Sequence, residues 1–237
     1  MISFVVASYN GAAYIDDQLI SILEGLGPND EIVVSDDGST DETIARVNAL
    51  KDPRIKIIAD GARLGYQKNF ERAVRSAIGR YIFFSDQDDI CLKARIPRSL
   101  EALETSDLVC GDAVVVNKDL ATADESYFAS RKARFGVAML FLRPAVIGAT
   151  MACRRDFLLR NLPFPEKVPH DMWLSIQAAR RRRLAVVDEP FILYRRHAEV
   201  ASATGTTRRR PLVQRVIERV RLVRALVNHR ERIGTVA

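Results

Sequence analysis

No apolar run in this chain approaches the roughly 20 residues a membrane-spanning helix needs; the longest stretches, such as FVVA and VAMLFL, fall far short. The start of the chain has no basic segment of the kind that opens a secretory signal, so the expected compartment is the cytosol. Cysteine is scarce. Cys91, Cys110 and Cys153 form no CxxC pair and are odd in number, which argues against a disulfide scaffold or a zinc knuckle and for reduced, buried thiols. Internal repeats and low-complexity tracts are also lacking. What remains is a chain of 237 residues, 48% apolar, long enough to bury a sizeable core as one domain or as one domain with an appendage.

Acidic residues are almost lacking at the C-terminal end. Between Arg208 and Arg232 nine arginines face only Glu218 and Glu231, so this tail carries the whole positive excess and the rest of the chain is near neutral. Leu212, Val213, Val216, Ile217, Val220, Val223 and Val227 recur at three- and four-residue steps, which predicts a basic amphipathic helix. Such a helix either lies on an anionic membrane or docks its stripe on its own domain. The tail has no aromatic residue on which a base could stack, which disfavours nucleic acid. The linker ASATGTT around Gly205 suggests a division into residues 1–204 and a tail of 205–237.

The first ninety residues alternate. ISFVVA, EIVVS, RIKIIA and RYIFFS read as strands, separated by helical patterns in YIDDQLISILEGL, DETIARVNALK and YQKNFERAVRSAI. That order predicts βαβ units and a mostly parallel sheet with helices on both faces. In DGSTDE, Ser39 or Thr40 is placed to cap the next helix, with Asp41 and Glu42 in its first turn. The second half is less regular. SDLVCGDAVVVN reads as one or two strands, IGATMACRRDFLL as a strand entering a helix, HDMWLSIQAARRRR as a helix, and LAVVD and FILYRR as two short strands.

One feature needs a chemical reason. YIFFSDQDDI sets Asp86, Asp88 and Asp89 directly after a buried strand, where mutual repulsion opposes ionisation. Aspartates do collect in turns and caps. Here, however, the acidic clusters all fall at the carboxyl ends of strands, where open α/β sheets bind ligands.

The ordered set VVASYNG, VVSDDGSTDET, GYQKNF, GRYIFFSDQDDI, IGATMACRR, HDMWLS and YRRH resembles glycosyltransferase family 2 on a GT-A fold, and within it the bacterial rhamnosyltransferase-like branch, over roughly residues 1–200. The resemblance implies inverting transfer of a sugar from a nucleotide diphosphate donor to an acceptor hydroxyl in surface polysaccharide synthesis, with Mg2+ or Mn2+. Asp88 would ligate the metal, with Asp86 on ribose or a metal-bound water and Asp89 in reserve. Ser8, Tyr9, Asn10 and Asp37 would form the nucleotide pocket, Asp37 accepting the imide N–H of uracil or thymine. Asp36 would support the turn. Gly65 and Asn69 would lie near the nucleotide, although Arg63 stands where the family often has Asn. Asp171 would be the general base, with His170 and Trp173 shaping the acceptor pocket; a helix cap for Asp171 and a core position for Trp173 are the competing readings. His197 would reach the metal or diphosphate, and Arg195 or Arg196 would pair phosphate oxygens. The expected partners are the donor, a glycan or lipid-linked glycan acceptor, and an anionic membrane through the tail. Three other classes share parts of the pattern. A nucleotidyltransferase usually has a Gly-rich basic loop where VVASYNGAAY has no Lys or Arg, a nucleic-acid module would rest on the tail alone, and a silent scaffold would not need both Asp88 and Asp171.

Overall fold

The computed structural model describes residues 1–196 and 212–234, with side chains of the last helix over 216–229. Chain order is β1 (Ile2–Ser8), α1 (Ile15–Leu23), β2 (Glu31–Asp36), α2 (Thr43–Ala49), β3 (Ile55–Ile58), α3 (Tyr66–Ser76) and β4 (Tyr81–Asp86). Then follow β5 (Ile90–Cys91), α4 (Arg95–Ala102), β6 (Leu108–Val116), β7 (Thr122–Asp124), α5 (Tyr127–Arg131) and α6 (Val137–Leu142). A 3-10 turn at Gly148–Thr150 leads into β8 (Met151–Arg154), α7 (Arg155–Arg160), α8 (His170–Arg180), β9 (Leu184–Arg195) and α9 (Leu212–Gly234).

One sheet of nine strands runs β3-β2-β1-β4-β8-β6-β9-β5, with β7 pairing β6. The half built by the βαβ units is parallel, whereas β8 lies antiparallel between β4 and β6. Pleating sorts the side chains. Phe4 and Val6 of β1 face α1, while Val5 between them faces α3 and α8. Helix α1 buries Ile15, Gln18, Leu19 and Ile22, and α3 buries Asn69, Phe70, Ala73 and Val74, each at the spacing of one helical face. Both faces are therefore closed, which is why the central strands are nearly continuous runs of Val, Ile and Phe.

Several local expectations need correction. LAVVD and FILYRR form one strand, β9, because it pairs along the whole of β6 and absorbs Pro190 where the register shifts near Asp112. Neither Ser39 nor Thr40 caps α2. Asp41 accepts from the Thr43 amide at 3.0 Å instead, and Ser39 is drawn to Asp36. Helix α4 and the short β5 went unread: the run LKARIPRSL interrupts its apolar spacing with charged residues and a proline, and two residues make no period. The three cysteines are free and buried.

Of the two placements open to the tail stripe, docking on the domain is not the one seen. Helix α9 docks on α6 and α8, but through Leu222, Ala225 and Leu226, whereas Val216, Ile217, Val220, Val223 and Val227 of the predicted stripe are exposed. The suggested boundary at Gly205 lies outside the described residues.

Candidate active site

Parallel register brings the carboxyl ends of β1, β2 and β4 level, with Ser8 opposite Asp36 and Ala7 opposite Asp86. The loops leaving these ends are tied by side chains. Ser8 Oγ donates to Asp36 at 2.9 Å, and Asp36 also accepts the Ser39 amide, so it supports the turn as expected. Asn10, at φ 47°, accepts the Thr40 amide at 2.9 Å while its own amide donates to Ser39 Oγ, stitching the β1 and β2 loops together. Gln87, between the two aspartates of DQD, clamps the Tyr9 backbone from both sides: its Oε1 accepts the Tyr9 amide at 2.8 Å and its Nε2 donates to the Tyr9 carbonyl at 3.0 Å. A Cβ on Gly11 would sit 2.4 Å from Gln87 Oε1, so the clamp requires glycine there.

Asp37 and Tyr9 form one half of the site. The Asp37 carboxylate accepts the Leu64 and Gly65 amides, and Gly65 holds φ 81°, a region that favours glycine. Arg63 lies with its guanidinium 3.2 Å from the centre of the Tyr9 ring and its Nε 3.7 Å from Asp37. This residue, where the resemblance departs from the family pattern, thus covers the face of Tyr9. Asn69 corrects an expectation. It is 2% exposed and spends its amide on Ser35 and the Ser8 carbonyl, so it braces the strand ends from inside and offers no surface to a nucleotide.

The acids form the other half. Asp86 and Asp88 are half-buried and Asp89 is fully buried. Burial, then the charges of Asp88 and Asp171, push the Asp86 carboxyl up to about 7, while Arg95 opposes. Burial and the charges of Asp88 and Asp86 likewise raise Asp89. The β4 loop and the start of α8 are therefore within electrostatic reach. Buried Arg95 donates to the Phe84 carbonyl and supplies positive charge behind this cluster. Arg195 corrects a further expectation. It is 4% exposed and holds the Asp88 carbonyl at 2.9 Å and the Lys118 carbonyl at 2.9 Å, while its own amide donates to Asp89, so its guanidinium anchors the acidic loop.

Asp171 lies in the first turn of α8, after Pro169. His170 before it is buried among Phe70, Phe84 and Phe164, with ring centres 4.8, 5.2 and 5.8 Å away, and burial lowers its pKa. Trp173 is core. It is 1% exposed and its indole N–H donates to the Asn161 carbonyl at 2.9 Å, which leaves no ring face for an acceptor sugar. Two residues missed in the sequence support this corner. A Cβ on Gly148 would come 2.8 Å from His170 Nε2, so the 3-10 turn presses directly on the start of α8. Tyr127 of α5 is buried, with its pKa raised by burial and by Asp171 and drawn back by Arg131 and Arg196, which places Arg196 and Asp171 around one phenol. Gly148 lies within IGATMACRR, where no role had been given to it, and Tyr127 lies in no motif. His197 lies outside the described residues.

Among the described residues no group of three acidic, His or Cys side chains forms a ready cage for a metal ion. The donor set fits one nevertheless. Crowded carboxylates that raise each other's pKa are relieved by a hard cation, and magnesium-like ions take one or two carboxylates, completing the shell with phosphate oxygens and water.

A family model, Glycosyl transferase family 2, matches residues 3–162. The chain belongs to glycosyl transferase family 2. It is similar to the UDP-Glc:alpha-D-GlcNAc-diphosphoundecaprenol beta-1,3-glucosyltransferase WfaP of Escherichia coli, at 27% identity over 86% of this chain and 80% of that protein. The dTDP-rhamnosyl transferase RfbG of Shigella flexneri is 28% identical over 81% of this chain and 71% of that protein. Among solved structures, S. aureus TarS in complex with UDP-GlcNAc superposes with a TM-score of 0.67 at 23% identity, covering 84% of this chain but 59% of TarS 1-349, so the chain spans well under two thirds of that structure. Glucosyl-3-phosphoglycerate synthase from Mycobacterium tuberculosis, in complex with Mn2+, UDP and phosphoglyceric acid, gives 0.61 at 22% identity over 97% of this chain and 78% of that one. The fold is GT-A, as in these structures, and family membership makes the chain a glycosyltransferase.

Proposed function

We propose that the protein transfers a sugar, with inversion, from a pyrimidine nucleoside diphosphate to a hydroxyl of a glycan or lipid-linked glycan at a membrane. The observation that supports this is that Asp88 and Asp171, from the β4 loop and the start of α8, both act on Asp86, whose carboxyl is raised to about 7 by burial first and then by their charges. Asp171 accepts the proton of the attacking hydroxyl at a carboxylate oxygen as the new bond forms, opposite the departing diphosphate. Asp88, with Asp86 beside it and His197 from the segment after β9, would hold Mg2+ or Mn2+, which when bound neutralises charge on the leaving diphosphate. Arg196 pairs phosphate oxygens from the end of β9.

The other half of the cleft takes the nucleoside. Asp37 retains lone pairs beyond those used by the Leu64 and Gly65 amides and accepts the imide N–H of uracil or thymine. Tyr9, with Ser8 and Asn10 behind it, borders the base once Arg63 has left its ring. The branch resemblance makes dTDP-rhamnose the first donor to test, supported by the likeness to RfbG. A UDP-hexose is the second reading, favoured by the likeness to WfaP over most of that protein.

The test is transfer from each donor to a lipid-linked glycan, together with donor binding. Asp171→Asn is expected to keep donor affinity while turnover falls by about 10²- to 10⁴-fold, the usual share of a general base. Turnover close to that of the parent would remove Asp171 from the chemistry.

A further inference from the structure

Helix α9 is divided into two faces, and only one is used by the fold. Toward the body it buries Leu222, 0% exposed, packs Ala225 and Leu226 against α8, and sets His229 edge-on to Trp173 at 5.2 Å. Arg219 Nη1 lies 3.3 Å from Met172 Sδ and its guanidinium 5.8 Å from the centre of Phe141. Away from the body stand Val216, Val220, Val223 and Val227, 60%, 46%, 47% and 51% exposed, spaced four, three and four residues apart as a single stripe. Scattered exposed apolar residues need no explanation, but an aligned stripe does. It continues across an open groove of about 650 Å3 between α9, α6 and α8, bordered by Val137, Phe141, Leu142 and Ile176; Leu142 is itself 56% exposed.

We propose that this face is a docking surface for an anionic bilayer. Charge selects the occupant. Exposed Arg221 and Arg224 flank the stripe, three further arginines, Arg208 to Arg210, precede the helix in sequence, and Glu218 is turned inward at 9% exposure. A second copy meeting the same face would bring these guanidinium groups toward one another, whereas acidic headgroups pair with them while the valines enter the acyl boundary. The placement suits the chemistry, since Arg219 meets Met172, the neighbour of Asp171. The inference rests on the exposed face of α9 and not on the transferase reading.

The test is co-sedimentation of the full chain with vesicles of equal parts phosphatidylcholine and phosphatidylglycerol, against phosphatidylcholine alone. Binding is expected only to the anionic vesicles and is weakened by salt. Val220→Ser/Val223→Ser/Val227→Ser should lower the partition coefficient at least about tenfold, and Arg221→Glu/Arg224→Glu about thirtyfold or more. Both variants should keep the parent's melting temperature and its transfer rate to a soluble acceptor, a readout that separates this surface from the active-site reading. Parent protein that ignores phosphatidylglycerol, or either variant partitioning like the parent, overturns the proposal. So does a loss of melting temperature in both variants, which would assign the stripe to folding, or a parent dimer that the valine variant dissolves without any vesicle binding.

Discussion

The crowded carboxylates after β4 should make the metal-free protein less stable as pH rises. Asp86 is held at about 7 against an ordinary 3.8, so between those values the folded chain retains a proton that the unfolded chain has lost. A raised carboxyl pKa contributes stability that is full at low pH and disappears as pH climbs through the folded value. At about 1.4 kcal/mol per pH unit the full shift would cost about 4 kcal/mol, but Asp86 is half-buried and shares its charge with Asp88 and Asp171. Discounting for solvent screening and for the part already lost by about pH 5 leaves about 1–2 kcal/mol between about pH 5 and about pH 8. For a chain of this size that is a fall of about 3–6 °C in melting temperature. Buried His170, whose pKa is lowered, produces the opposite slope, so the informative quantity is the difference between parent and Asp86→Asn. Melts in chelator should show the parent falling below Asp86→Asn at the higher pH, and manganese should narrow that gap by raising the parent more than the variant, which keeps Asp88. Parallel curves for the two proteins would refute the reasoning.

Gly148→Ala adds a methyl where His170 Nε2 would be 2.8 Å away, which should cost about 1–3 kcal/mol of stability. By shifting the start of α8 it should also lower kcat more than it changes donor KM, measured by steady-state transfer; unchanged kcat would show that the turn does not position Asp171. Leu222→Ala removes the most buried contact of α9 and should destabilise the protein by about 2–4 kcal/mol in a urea titration. An unchanged midpoint would mean that α9 is not docked as described.

The parallel half of the sheet was legible because each of its strands is a short apolar run bounded by turn residues, and the helix spacing of α1 and α3 is regular. Beyond β4 the signals weaken. LAVVD and FILYRR read as two strands because Glu189 and Pro190 part them, a gap that the register shift beside β6 absorbs, and α5 and α6 are too short to show a period. At the site, the positions of Asp86, Asp88 and Asp171 follow from strand ends and a helix start. Partners were harder to foresee. Nothing in DQD reveals that Gln87 faces backward to clamp Tyr9, or that Arg195 rather than Arg196 is consumed by the Asp88 carbonyl. For Trp173 the sequence left a sugar platform and a core position open, and its helix phase points it into the core. For the tail stripe the periodicity left a membrane and the domain open as its partner, and the fold docks α9 through the face next to it.

The proposed transfer requires Asp88 to join a divalent cation to the donor diphosphate. Calorimetric titration of UDP and of dTDP into the parent and into Asp88→Asn, with manganese and then with chelator, tests that most directly. At least one nucleotide should bind the parent with manganese and lose about tenfold or more in affinity both in chelator and in the variant. Equal affinity in all of these conditions would contradict the proposed cleft.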